Sequence, residues 1–248
     1  MPLGWRRVDG EYCHVMLHPL PYPQVVEPRP DMTAAAVVAA IEEARALVRE
    51  HGRDLLVWLA GPDHPWLAEA LAQRGLRNED SPGFEAVESA MALLEGPAGK
   101  HDLEVGLVDS YEAFAAGTRI EMDAFDIPAE GRAEMEAELE RHWLEYTSED
   151  NTIRRWNASI DGRVVGTAEG VLGEAGLNLF GGAVLAEARG KGVYRALVKA
   201  RWDYSVQHGK PALTVQAGRM SRPVLEQLGF ILIATIPIYV DNLSESAD

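Results

Sequence analysis

Apolar and polar positions change period several times along this chain, and each change marks an element. From Asp31 the segment "DMTAAAVVAAIEEARALVREHGR" spaces Ala, Val and Leu at helical intervals. Asp31 or Thr33 can accept the free amides at its start, and Gly52 can end it. The short apolar run "DLLVWLAG" predicts a buried strand. "HPWLAEALAQRGL" opens with Pro65 and closes with Gly75, which predicts a short helix, and "AVESAMALLEG" predicts another strand. Residues 11–30 begin strand-like and become proline-rich. A proline lacks the N–H that a ladder needs, so neither a helix nor a central strand is expected beyond about His18. "EGPAGK", 95–100, has the composition of a linker.

The pattern then starts afresh. "HDLEVGLV" alternates as a strand does, and "SYEAFAAGTRIEMDAFD" and "AEGRAEMEAELERHWLEYTSE" predict two helices joined around Ile127 and Pro128. "TIRRWNASIDGRVVGTAEGVL" predicts a hairpin, because Asp161-Gly162 supplies the positive backbone angles of a tight turn. "GLNLFGGAVL" is a third strand whose Gly181-Gly182 pair implies a bulge or a close backbone approach. A glycine loop, a long helix to His208, the strand "PALTVQAG", the short helix "SRPVLEQLG" and the strand "FILIATIPIYV" complete the chain. The order helix, strand, helix, strand occurs in both halves, and "HGRDLLVWLAG" (51–61) lines up with "HGKPALTVQAG" (208–218). Agreement of order, spacing and letters points to internal duplication.

Composition narrows the class. The 248 residues are 47% hydrophobic and 25% charged, ordinary for one large or two small globular domains. No apolar run approaches the ~18 residues of a membrane span. The opening "MPLGWRRVDGEY" has no apolar stretch behind its basic residues and does not resemble a secretory signal. Cys13 is the sole cysteine, which excludes an internal disulfide and suits a reducing cytoplasm. The net charge of −16 disfavours nucleic acid and mildly favours cationic small molecules. Scattered histidines, one cysteine and the absence of a Gly-x-Ser-x-Gly elbow leave no signature of a metal site or a serine nucleophile.

The candidate chemistry lies in "EARGKGVYRALV". Val193, Leu197, Ala200 and Tyr204 give the following helix one apolar face, so its first turn faces the glycines. The free amides there, the helix dipole, Gly190 and Gly192, and the charges of Arg189, Lys191 and Arg195 predict an anion site. A nucleotide-triphosphate loop fails because Lys191 is followed by Gly192. A dinucleotide fingerprint fails because Arg195 stands at its third glycine, and no acidic residue ends the strand "TVQAG".

The stretch "AVLAEARGKGVYRALV" resembles the acyl-coenzyme A loop of the GNAT superfamily, the acyl-CoA-dependent N-acyltransferases. In that loop an apolar strand ends in Val, and Arg/Gln-x-x-Gly-x-Gly/Ala opens a helix. Val184, Arg189 and Gly192 match, whereas Tyr194 replaces the last small residue. The resemblance covers residues ~101–240 in element order and includes the closing "SRPVLEQLGF". It implies an α+β fold, a GNAT-like mixed sheet flanked by helices, as a catalytic unit at 101–248. This unit is preceded at 1–97 by a partial, degenerate GNAT-like half-unit that serves as scaffold and lacks the Arg-x-x-Gly.

The implied reaction is acetyl-CoA-dependent N-acetylation of a small-molecule amine or a peptide, with acetyl-CoA as co-substrate and no metal. The alternative is a non-catalytic module that binds acyl-CoA or a partner. The resemblance places the pyrophosphate on the amides of Gly190, Lys191, Gly192, Val193, Tyr194 and Arg195, and the pantetheine on the strand edge at Gly182, Ala183 and Val184. Some members carry a basic Glu where Asn178 stands here, so Glu169, which interrupts the apolar run "GTAEGV", is the nearest candidate base, either facing a cleft or exposed. Glu121, Asp123 and Asp126 fall in the acceptor region of the family. The Tyr that many members use to protonate the thiolate is Leu225 here, and Ser221 is a candidate hydrogen-bond donor or helix cap. Either a monomer or a homodimer is consistent with the resemblance.

Overall fold

The computed structural model describes residues 5–18, 22–98 and 103–244. The linker expected at 95–100 and the first four residues of the opening segment lie partly or wholly outside them. In chain order the elements are β1 (Arg6–Asp9), β2 (Cys13–Leu17), β3 (Gln24–Pro28), α1 (Val37–Glu50), β4 (Leu55–Leu59), α2 (Leu67–Ala72), β5 (Arg77–Asn78) and β6 (Val87–Leu93). There follow β7 (Glu104–Leu107), α3 (Tyr111–Ala124), α4 (Ala129–Ala137), α5 (Leu139–Tyr146), β8 (Ile153–Ile160), β9 (Arg163–Leu172), β10 (Leu177–Val184), α6 (Val193–Gln207), β11 (Leu213–Ala217), α7 (Arg222–Leu228) and β12 (Ile231–Asn242). The α+β class is as expected.

The chain forms two compact units. One holds the described residues up to Ala90, with Ala217–Arg222 and Leu232 onward; the other holds Met91–Gln216 and Pro223–Ile231. In the first, β1, β2 and β3 form an antiparallel meander and β4 runs parallel to β3. β12 pairs antiparallel with β4 and with β5. α1 covers this sheet because Val37, Ala40, Ile41, Ala44 and Val48 recur at helical spacing and are all buried. They meet Val15, Val26, Leu56 and Trp58 in one apolar core.

One expectation fails here. β3 is a central strand beyond His18, paired on both edges. The reason is position: Pro23 precedes the strand and Pro28 is its last residue, so no ladder amide is lost between them. β1, largely exposed, gives no alternating signal and was not anticipated.

In the second unit β7, β8, β9 and β10 are antiparallel neighbours and β11 runs parallel to β10. The expected turn at Asp161-Gly162 is present, with φ 51° and 76°. So is the glycine bulge, where the β9–β10 register shifts between Phe180 and Ala183. α3 and α6 cover opposite faces of this sheet. Thr167 and Asn157 meet α3 at Gly117, whereas Gly166 meets Val193 and Leu197 of α6. That alternation follows from the period of two along β9. The second expected helix is broken at Glu138 into α4 and α5. α4 buries nothing, and the break lets α5 turn Leu139 and Tyr146 into the core beside Phe114.

Candidate active site

The glycine loop enters α6 through two left-handed residues, Gly190 at φ 75° and Gly192 at φ 85°. Other residues rarely take these angles, so glycine is required by the turn itself. A Cβ on either would meet nothing within 4 Å, so the space above the loop is open. Gly192 is the N-cap and offers no side chain to α6, whose first amides Val193, Tyr194 and Arg195 therefore have no cap from within the helix. These amides and the exposed Arg189 and Lys191 fit a diphosphate. Arg195 is anchored instead, donating from Nη2 to Gln227 Oε1 of α7 at 2.7 Å.

Tyr194 departs from the small residue expected after this loop, and its geometry explains how it is accommodated. A Cβ added to Gly182 would lie 3.1 Å from Tyr194 Cε2, so the ring fills space that β10 leaves empty. Burial raises the Tyr194 phenol above its ordinary pKa, against the pull of the neighbouring Arg201 guanidinium. The side chain thus runs along α6 towards Arg201, not across the loop.

β10 and β11 pair only from Leu177↔Leu213 to Leu179↔Val215. The recorded ladder stops where the bulge begins, which leaves the Gly181–Val184 side of β10 as an edge. On the α3 face the same bulge meets two carboxylates. A Cβ on Gly181 would sit 3.5 Å from Glu121 Oε1, Glu169 Cγ and Glu169 Oε2. Between the two glutamates lies Arg155, on the α3 face of β8 with Asn157. Its guanidinium contacts Glu169 Oε1 from Nη2 at 2.6 Å and from Nε at 2.8 Å. It reaches Glu121 Oε2 at 3.1 Å and Thr118 Oγ1 at 2.8 Å, and lies 4.8 Å from the Phe114 ring centroid.

The electrostatics of this triad are uneven. Burial pushes the Glu121 carboxyl up to about 7; Arg155 pulls against that, and the charge of Glu169 adds to it. Burial also works against the Arg155 charge, but its two carboxylates raise its pKa above the ordinary value. The strand glutamate expected to be either exposed or facing a cleft is thus buried, and the carboxyl shifted towards neutrality is that of Glu121.

Residues 117–230 match the model of the Acetyltransferase (GNAT) family. They form a GNAT domain. In fold the chain is similar to a GCN5-related N-acetyltransferase from Kribbella flavida, at 18% identity over 96% of this chain and 89% of that one, with TM-score 0.67. It is also similar to a GCN5-related N-acetyltransferase from Sphaerobacter thermophilus, at 14% identity over 95% and 82%, TM-score 0.65. A tandem GNAT protein from the clavulanic acid biosynthesis pathway matches at 16% identity over 93% and 78%, TM-score 0.63. Among curated proteins none matches the sequence significantly.

Within the GNAT domain the predicted site residues separate into groups. Gly182, Ala183 and Val184 lie on the freed edge of β10, and Gly190 to Arg195 form the loop and first turn of α6. Of the three acidic residues expected near the acceptor, Glu121 reaches the bulge. Asp123 is paired to Arg132 Nη1 at 2.5 Å, and Arg132 also donates to the carbonyls of Ile127 and Met122, closing the α3–α4 loop. Asp126 is exposed at φ 51° in that loop. Ser221 lies outside the compact unit of the loop and donates to the Gly218 carbonyl at 3.3 Å. Asn178 is exposed and accepts from Thr214 Oγ1 at 3.1 Å. Arg155 was missed: both faces of β8 are covered, with Trp156 and Ala158 buried opposite it, so alternation along the strand gives no sign that an arginine is buried there. No helix among the described residues is long and apolar enough to cross a membrane. No group of three or more His, Cys, Asp or Glu among them could hold a metal ion.

Proposed function

We propose that this protein is an acetyl-CoA-dependent N-acetyltransferase that acylates a primary amine of a small molecule or peptide by direct transfer. The observation that carries the reading is the coincidence at Gly181–Gly182. There the β10 edge is freed from β11, and two carboxylates meet the bulge from the α3 face.

On this reading the loop amides of Gly190 to Arg195, with Arg189 and Lys191, hold the pyrophosphate. The pantetheine amides add to the β10 edge at Gly182, Ala183 and Val184 as a further strand would. One strand N–H then polarises the thioester carbonyl. Glu121 and Glu169 share one guanidinium, so the triad carries net negative charge when both are ionised and attracts an ammonium group. An amine of ordinary pKa ~10.4 must lose a proton before it can attack, and a carboxylate at the bulge can take it. A coenzyme thiolate with a pKa near ~8.5 can depart without a dedicated acid, so Leu225 in place of a tyrosine is no obstacle.

The test is calorimetric titration with acetyl-CoA and with CoA, followed by a panel of small amines and peptides with detection of free thiol. Binding of both nucleotides and thiol release that depends on one class of amine is the expected result. Binding without release for any amine would favour a carrier or partner-binding module, and no binding would remove the acyl-CoA reading.

A further inference from the structure

The Arg155 cluster divides labour between its two carboxylates. Resting on the acyltransfer reading above, we propose that Glu121 is the group that takes the proton from an ammonium acceptor, and that Glu169, pinned by Arg155, is a positioning residue. Glu169 Oε1 receives two guanidinium contacts, at 2.6 and 2.8 Å, and its side chain is 5% exposed. Glu121 is held from 3.1 and 3.4 Å by Nη2 alone and its side chain is 14% exposed. Shorter charge-assisted bonds are the stronger ones, so Arg155 is engaged mainly by Glu169. Both carboxylates lie against the bulge where a thioester on the β10 edge would lie, each with an oxygen 3.5 Å from a Cβ placed on Gly181, but Glu121 is the more exposed and the less tightly held of the two.

The charged groups that face Glu121 are Arg155 from β8 and Glu169 from β9; β10 presents glycines. Tyr146 of α5 spends its phenol on the Val108 carbonyl and the Arg155 amide. Burial is the main reason the Glu121 proton affinity is high enough to serve near neutrality, with Arg155 pulling against it and the Glu169 charge adding to it.

In the step itself, an N–H bond of the acceptor R–NH3+ breaks as an O–H bond forms on Glu121. The nitrogen lone pair then attacks the thioester carbonyl carbon and the C–S bond breaks, its electron pair leaving on sulfur. A second N–H proton passes to that thiolate, and Glu121 returns its own proton to solvent.

Two readouts separate this proposal from the reading it rests on. Carbon-detected NMR of the glutamate carboxyls across pH 4–9 needs no substrate. A resonance titrating near neutrality should vanish in Glu121→Gln and move to lower pH in Glu169→Gln, because a neighbouring negative charge has been removed. A resonance that vanishes in Glu169→Gln but persists in Glu121→Gln overturns the assignment, even if no amine is ever acetylated. In turnover assays Glu121→Gln should lower kcat about 100-fold or more with acetyl-CoA binding intact. Glu121→Asp should restore part of the rate. Glu169→Gln should keep measurable turnover and shift the acid limb of the kcat profile to lower pH. Should Glu121→Gln fold poorly, the Asp variant and the Glu169→Gln shift still decide: an unmoved acid limb in Glu169→Gln sinks the proposal. Failure of the parent to acetylate any amine counts against the function, and the NMR titration judges the assignment of the proton separately.

Discussion

Between β3 and α1 the chain passes from Arg29 to Ala36 with no positive φ and enters the helix through a 3-10 turn at Ala34–Ala36. Between β10 and α6 it passes through Gly190 and Gly192, both left-handed. Carrying the match of 51–61 with 208–218 backwards without gaps sets Gly190 against Thr33 and Gly192 against Ala35. The strand-to-helix connection is also four residues longer in the second unit, since the paired strands begin 32 residues apart at Gln24 and Leu56 but 36 apart at Leu177 and Leu213; otherwise the two units agree in detail. Each has a parallel ladder of three pairs, Gln24↔Leu56 to Val26↔Trp58 and Leu177↔Leu213 to Leu179↔Val215. Each helix ends on His-Gly, with His51 Nδ1 2.7 Å from the Leu47 carbonyl and His208 Nδ1 2.7 Å from that of Tyr204. Gly52 and Gly209 follow at φ 65° and 73°, and Arg53 and Lys210 donate back to Val48 and Ser205 at 3.1 and 3.0 Å. Packing and helix closure have been kept in both copies. The left-handed glycine pair stands before α6 and not before α1, which is where the proposed acyl-CoA loop would need it.

The comparison breaks most sharply at Gly192. Gly192→Glu forces a side chain into a left-handed position and sets a carboxylate among the loop amides. The expected loss of acetyl-CoA affinity is about 100-fold or more, equivalent to about 3 kcal/mol. Ala35→Glu, at the exposed counterpart in the other copy, should leave the affinity unchanged when both are measured by calorimetry. Equal losses in the two variants would show that the loop is not the site.

A second contrast sets Glu43 of α1 against Glu121 of α3. The Glu43 carboxylate accepts the amides of Glu11, Tyr12 and Cys13 at 2.6, 2.8 and 3.2 Å. Burial pushes its pKa up, but these amide bonds outweigh that and hold it below the ordinary 4.5. Its stabilisation is therefore present above pH 4.5 and lost as the pH falls through the lower folded value. Glu121 has the opposite sign. Its contribution is full below 4.5 and is lost as the pH rises towards about 7. Urea unfolding should show Glu43→Gln destabilised by about 2 kcal/mol at pH 7, with the deficit shrinking in acid. Glu121→Gln should gain on the parent by about 1–3 kcal/mol between pH 5 and pH 8. Parallel pH profiles for parent and Glu121→Gln would mean that Glu121 is not a raised carboxyl.

Local rules made much of this legible. The Asp161-Gly162 turn, the Gly181-Gly182 bulge, the Gly190 and Gly192 loop and the duplicated helix-strand pair each announce themselves within a dozen residues. What stayed hidden depends on partners far apart in the chain. In β8 the polar Arg155 and Asn157 alternate with Trp156 and Ala158, and nothing local shows that Arg155 is buried or that Glu121 on a helix and Glu169 on the next strand converge on it. The apolar alternation of β12 likewise does not say that it pairs with β4. β3 was obscured by prolines whose effect depends on whether they stand inside a strand or at its ends.

The smallest expected effect tests how the second unit tolerates Tyr194. The same offset sets Tyr194 against Val37, a buried core residue of α1, whereas the ladders set Val25 against Asn178 and leave Gly182 without a counterpart in β3. In the GNAT domain the exchange is compensated: a large ring on α6 is matched by an absent side chain on β10. Gly182→Ala would bring a Cβ to 3.1 Å from the ring, tighter than ordinary contact, so the ring must shift. The expected cost is about 1 kcal/mol in the parent and close to zero in a Tyr194→Ala background, a coupling of about 0.5–1 kcal/mol by double-mutant cycle. Tyr194→Ala alone should weaken acetyl-CoA binding little, because the side chain runs along α6 and leaves the loop amides free. Additive costs would mean that the ring and Gly182 do not share this space, and a large affinity change in Tyr194→Ala would make the tyrosine part of the cofactor grip.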